Sequence, residues 1–285
     1  MLSLLACAAG LVVPLPSANP ATSLAGVTLP RVIDGEMLNI GAELSSGKKT
    51  MLVLGTHAAD FNSCEYMQRV RFYMPRLQAE GIERFIMVVN GDASQCTKLA
   101  DILSLPANVE LLADPSGEAG RRFGVSRGFR PDDANLSPFV KLFAMGIGIG
   151  PPWSTLPAVL TGYLGDPNGK REWIEASLKQ GQDKGRWPAP LELGADGAIT
   201  ANAFDTTPLL SGWGRRPFEL ATLRLQNLIG IQGQNWEELK PADMERCLTQ
   251  LGGCAVVAPG GRALYSWVDQ GLCDVADFDE MLEAL

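Results

Sequence analysis

The chain has 285 residues, 46% hydrophobic and 20% charged, with a formal net charge of −8. That length buries a full core, in one large domain or two small ones, and an acidic chain without Lys/Arg clusters excludes a nucleic-acid partner held through its phosphates. Six scattered cysteines (7, 64, 96, 247, 254, 273), no CxxC and the single histidine His57 exclude a structural zinc site and argue against a secreted disulfide scaffold.

The first charged side chain is Arg31. Residues 1–18, MLSLLACAAGLVVPLPSA, combine a short apolar stretch, prolines and small residues, as a signal or targeting segment does, although the basic n-region is reduced to the amino terminus. A loose N-terminal arm is the alternative. Residues 19–285 are then expected to form a single domain.

Asp34-Gly35 and Ser46-Gly47 read as turns between short extended pieces. The apolar run Met51–Leu54 predicts a strand, and a helix follows from near Asn62, with Glu65 three residues on as in a capping box. Asp60 and Ser63 are alternative caps. Tyr66, Met67, Val70, Tyr73, Met74 and Leu77 mark one broad helical face, Pro75 predicts a kink, and Gly81 ends the element. Strands over 83–90 and 109–114, a helix over 94–104 and a short helix before Val125 continue a β-α-β-α-β-α order, which predicts parallel strand pairs.

The alternation breaks after Arg130. Residues 131–250 read as an inserted region with one amphipathic piece, 216–230, closed by Gly230. The β pattern returns in CAVVAPGGRALYSWV (254–268), a strand, a Pro-Gly-Gly turn and a second strand, and residues 277–285 read as a final helix. Within the insertion, Leu142–Gly165 runs for twenty-four residues without a charge. Its glycines and prolines break a straight membrane span into two short apolar helices joined by Gly-Pro-Pro-Trp. Packing within the protein is the favoured reading of that hairpin. A protein interface, or a bilayer interface with Trp153 or Tyr163 at the headgroups, are the others. No bound cofactor is implied: GIGIG lies in this uncharged run without the GxGxxG spacing.

Cys64 stands where the strand hands over to the helix. A helix N-terminus favours a thiolate through its unpaired N–H groups and its dipole, and with Asn62 as cap Cys64 takes the second helical position. Asp60 and Glu65 flank it and raise its pKa. Cys64 therefore reads as a redox thiol or as a packed, inert cysteine. Cys96, near the start of the second helix and expected to be exposed, is the candidate resolving thiol, and Cys254 is expected in the core. Cys247 and Cys273 fall in loops or at their edges. His57, after the strand, is a weak candidate proton partner, or a hydrogen-bonded structural residue.

The entry hairpin before KKTMLVLG, the turn DFNSC, LLADPSGEAGRRFGV and the closing LGGCAVVAPGGRALYSW together resemble the peroxiredoxin-like (AhpC/TSA) branch of the thioredoxin superfamily. The longer strings GRRFGVSRGFRPDD, LPAVLTGYLGDP and RRPFELATLRLQN resemble its cyanobacterial and plastid form. The resemblance implies a thioredoxin-like α/β fold, a mixed sheet flanked by helices, with the insertion placed before the last hairpin and helix. It implies a thiol-dependent antioxidant oxidoreductase reducing peroxides through Cys64, served by an external thiol reductant in a plastid and associated with the thylakoid; a secretory location is the alternative. The sequence departs from the family pattern in three places. The Pro-x-x-x-Thr-x-x-Cys loop is missing, with Phe61 at the threonine position. No arginine directly precedes the closing strand, Arg246 being nearest, and no CxxC is present. These departures support a second reading, a catalytically degenerate thioredoxin-fold subunit of a photosynthetic membrane complex. A glutathione-transferase-like reading rests on topology alone, and the β structure at 254–268 counts against it.

Overall fold

The computed structural model describes residues 19–148, 153–186 and 190–285. The N-terminal segment, Cys7 and the Gly-Pro-Pro tip of the uncharged hairpin lie outside the described residues. In chain order the strands are β1 (Thr28–Pro30), β2 (Met37–Asn39), β3 (Thr50–His57), β4 (Arg84–Asn90), β5 (Val109–Ala113), β6 (Leu191–Leu193), β7 (Ile199–Asn202), β8 (Gly253–Val257) and β9 (Ala263–Val268). The helices are α1 (Pro20–Ser23), α2 (Ile40–Leu44), α3 (Phe61–Ala79), α4 (Ala93–Leu103), α5 (Glu118–Phe123), α6 (Pro138–Gly146), α7 (Thr155–Gly162), α8 (Glu172–Asp183), α9 (Pro217–Leu239), α10 (Met244–Cys247) and α11 (Phe278–Glu283).

Five strands form the central sheet in the order β5-β4-β3-β8-β9. β3 pairs parallel with β4 and β4 parallel with β5, as the alternating pattern requires, while β8 returns antiparallel to β3 and β9 antiparallel to β8. The result is a mixed α/β sheet flanked by helices, as in the thioredoxin fold. Every residue of β3 is buried, as a central strand covered on both faces must be. Its alternation splits the core: Met51 and Val53 join the cluster with α3, α4 and the inserted helices, whereas Leu52 and Leu54 face α1, α2 and α5. Each such side chain contributes roughly 1.5–3 kcal/mol by leaving water.

Three expectations change in detail. α3 is capped by Asp60, whose side chain accepts from the Asn62 N–H, and not by Asn62. It continues through Pro75 to Ala79. α9 does not stop at Gly230 but runs on to Leu239, with its non-helical residue at Asn235. The insertion is a helical layer (α6–α9) with a two-stranded ribbon β6–β7, and α8 packs on both α3 and α9.

Candidate active site

β3 ends at His57, and the turn to α3 closes with the Asp60 N–H on the His57 carbonyl at 2.9 Å. Counting from the Asp60 cap, Cys64 is the fourth helical residue, not the second. Its N–H is already spent on the Asp60 carbonyl at 3.2 Å, so it sits past the unpaired amides that favour an anion. The side chain is fully buried. Burial pushes the thiol well above its ordinary range; Asp60 and Glu65 push it further, and Arg186, after α8, opposes them.

Cys64, Gln68 and Arg71 follow one another at i, i+4 and i+7 on one stripe of α3. Arg71 shows where that stripe faces: its guanidinium donates to the carbonyls of Leu103 (2.5 Å) and Ala176 (3.4 Å), on α4 and α8. The Gln68 amide is buried with neither atom hydrogen-bonded, and so is that of Asn227 on α9, which touches Gly181 of α8. An unmade buried hydrogen bond costs about 1–3 kcal/mol. This stripe of α3 therefore carries a buried amide without a protein partner, and so does the contact between α8 and α9.

The opposite side of α3 is densely bonded. Glu65 accepts from Arg69 at 2.7 and 2.9 Å and from Arg224 of α9 at 3.0 Å; Glu65 and Arg224 are buried and Arg69 is mostly so. Burial alone raises the Glu65 carboxyl, but Arg224 and Arg69 outweigh it and hold it below its ordinary range. Arg224 lies 4.5 Å over both the Tyr163 and Trp173 rings. Nearby, Asp269 accepts from Asn62 and Tyr66, each at 2.7 Å, and from the Gly252 N–H at 3.2 Å. Burial nevertheless pushes its carboxyl well above the usual range.

α9 covers the turn along its length. Arg224 meets Glu65, Gln232 donates to the Ala59 carbonyl, and the Trp236 ring stands edge-on to His57 at 6.4 Å. The sequence pattern flagged this helix but gave no sign that it would lie across the turn before Cys64, because its partners are 159 and 173 residues away in the chain. The Glu65–Arg69–Arg224 triad and Asp269 were likewise missed. Glu65 and Arg69 at i,i+4 were the only local signal.

The remaining candidates are not brought together at the thiol. Cys96, expected exposed, is fully buried, with its sulfur 3.8 Å from the Gly91 carbonyl and its thiol pushed up to about 12, chiefly by burial. The capping box of Asp92 and Gln95 tucks it under the first turn of α4. Cys254 is a core residue of β8, as expected. Cys247 closes α10, with its sulfur 3.5 Å from the Pro115 carbonyl. Cys273 alone among the described cysteines is partly exposed, and its N–H donates to Asn62 Oδ1 at 2.7 Å. It lines a cleft of about 410 Å³ with Arg69, Lys170 and Trp173.

His57 is the last residue of β3 and not a loop residue. It is buried, Nδ1 has no partner, and burial lowers its pKa, so the ring is neutral. Arg246 is exposed and paired with Asp243, while Gln250, in the position expected for an arginine, bonds Arg121 and the Gly117 carbonyl. Among the described residues no group of three His, Cys, Asp or Glu side chains could hold a metal.

The family model described as AhpC/TSA antioxidant enzyme matches residues 70–271, more than half of the chain. The match takes in most of α3, β4, β5, the whole insertion and the β8–β9 hairpin, and it begins after Cys64. No curated protein and no solved structure matches the chain. With its mixed sheet, its strand-to-helix cysteine and the matched span, the chain belongs to the AhpC/TSA antioxidant enzyme family.

Proposed function

We propose that the protein is a thiol-dependent antioxidant oxidoreductase that reduces peroxides through Cys64. One observation carries the reading: in a chain of this family, a cysteine stands in the opening turns of the helix that follows the central strand. The thiol loses its proton, and the thiolate attacks one peroxide oxygen. The O–O bond breaks, leaving a sulfenic acid on Cys64 and releasing an alcohol or water. A second thiol then displaces water to form a disulfide, and an external thiol donor returns the two electrons. Cys96 can serve as the second thiol only after the first turn of α4 opens. Cys273 is already partly exposed, with its backbone N–H on Asn62.

The covered thiol makes this an enzyme that works from an opened state. The unpartnered amide of Gln68 lowers the cost of opening its stripe of α3 toward α4 and α8, while the Glu65–Arg224 pair holds α9 on α3. The same burial supports the second reading, a degenerate subunit. Glu65 occupies both Arg69 and Arg224, so neither guanidinium is spare for a thiolate. A plastid location near the thylakoid, or a secretory one, rests on the resemblance and on residues 1–18.

The test treats the protein, and its Cys64→Ser variant, with stoichiometric hydrogen peroxide, followed by a sulfenate trap and peptide mass mapping. Rapid trapping at Cys64, or a disulfide from Cys64 to Cys273 or Cys96, supports the peroxidase. A Cys64 that stays reduced while Cys273 oxidises slowly leaves the degenerate subunit.

A further inference from the structure

Seven of the twelve exposed large apolar side chains among the described residues fall between positions 139 and 164. Six of them form two matching ridges at four-residue spacing, with Val140 beside the first: Phe139, Phe143 and Ile147 along α6 and just past its end, and Leu156, Leu160 and Leu164 along α7 and just past its end. Phe143 is 70% exposed and Ile147 61%. The favoured expectation, that this hairpin packs within the protein, is thus overturned for its outer face.

The inner face is firmly held and cannot turn to hide the ridges. Lys141 and Met145 of α6 are buried, with Lys141 Nζ on the Pro131 carbonyl at 3.2 Å. Tyr163 is buried against Phe61 and under Arg224, which withdraws it from any headgroup role. The Leu156 N–H donates to the Gly148 carbonyl at 2.8 Å, tying the helices together. The Ser154 N–H donates to the Gln270 carbonyl and the Leu272 N–H to Thr155 Oγ1, fixing the hairpin to the loop after β9.

We infer that α6 and α7 form a membrane-docking surface that lies flat in the interface of an uncharged, zwitterionic lipid bilayer. This goes beyond the thiol chemistry and does not depend on it. Two observations, the uncharged run and Trp153, choose the bilayer over a protein partner, and two more, helix length and net charge, set how the hairpin docks and on which lipid. The hairpin carries no charged side chain from Leu142 to Gly165, so insertion desolvates none, whereas protein interfaces have a polar rim that sets their orientation. The helices, about 14 and 12 Å long, are far too short to span about 30 Å of hydrocarbon but suit an in-plane position. No helix among the described residues is long and apolar enough to cross a membrane. Trp153, half-buried at the start of the α7 arm, supplies an interfacial aromatic. The chain's −8 charge is repelled by anionic lipid, which selects a neutral surface.

Full-length protein is floated with phosphatidylcholine vesicles at low and high salt, beside a Phe143→Asp/Leu160→Asp variant, and amide hydrogen exchange is followed with and without vesicles. The expected result is flotation that salt does not weaken, slowed exchange confined to α6 and α7, and at least about tenfold weaker binding by the variant. Circular dichroism of the variant, matching the parent, keeps that loss interpretable. The inference fails if the parent does not float, or if the variant floats equally well, which assigns binding to residues 1–18. It also fails if the parent is a lipid-free dimer that the variant converts to monomer, which makes the ridges an interface between copies of this chain.

Discussion

Asp60 acts on Cys64 in two ways. Its side chain caps α3 through the Asn62 N–H at 3.4 Å, and its charge raises the thiol pKa. Asp60→Asn keeps a capping oxygen and removes the charge, so the pH profile of Cys64 alkylation in the native protein should move to lower pH; an unmoved profile removes Asp60 from the electrostatics of the thiol. Asp60→Ala loses the cap as well and should cost about 1 kcal/mol of stability. Glu65 acts on a larger scale. Glu65→Gln leaves Arg224 fully buried, and Arg69 mostly so, without a carboxylate and should cost about 3–5 kcal/mol by urea denaturation, where an exposed pair would cost less than about 1 kcal/mol. A loss in that smaller range would show that the triad is open to water.

α9 braces the turn that leads into Cys64. Trp236 against His57 and Gln232 on Ala59 hold its second half over the turn. Trp236→Ala should loosen that half and speed iodoacetamide labelling of Cys64 under native conditions, with peptide mapping as the readout; unchanged labelling would place the gate elsewhere, in α8 or the α4 turn. The sequence pattern ended this helix at Gly230, since each helical glycine costs about 1 kcal/mol against alanine. Gly230 and Gly233 are nevertheless helical, because the contacts of Gln232 and Trp236 outweigh that cost. α3 and α4 were legible because each buries one face and its period survives in the residues, and β3, β4 and β5 because strands covered on both faces read as short apolar runs. The site was legible only as far as Cys64, His57 and the flanking acids. The cover over them is built from contacts whose two halves carry no shared local pattern.

At the scale of the whole molecule, two buried carboxyls tilt stability in opposite directions with pH. Asp269 is raised in the folded state, so its contribution is full below the unfolded value of about 3.8 and is lost as pH rises toward the folded pKa. Asp269→Asn removes that loss, and its urea midpoint relative to the parent should improve from about pH 4 toward neutrality. Glu65 is lowered, so its contribution is present above the unfolded value of 4.5 and fades as pH falls; the deficit of Glu65→Gln should shrink in acid. A flat difference in either series would mean that the carboxyl titrates alike in both states. The sheet order carries a consequence for biosynthesis. β3 is the central strand, yet its β8 neighbour pairs Thr50 with Val257 and Leu54 with Gly253, roughly two hundred residues downstream. At the usual pace of translation the nascent chain holds an unpaired, largely apolar strand edge for about 10–40 s. Chains stalled or truncated inside the insertion are therefore the species that chaperones must hold, and the ones that aggregate first.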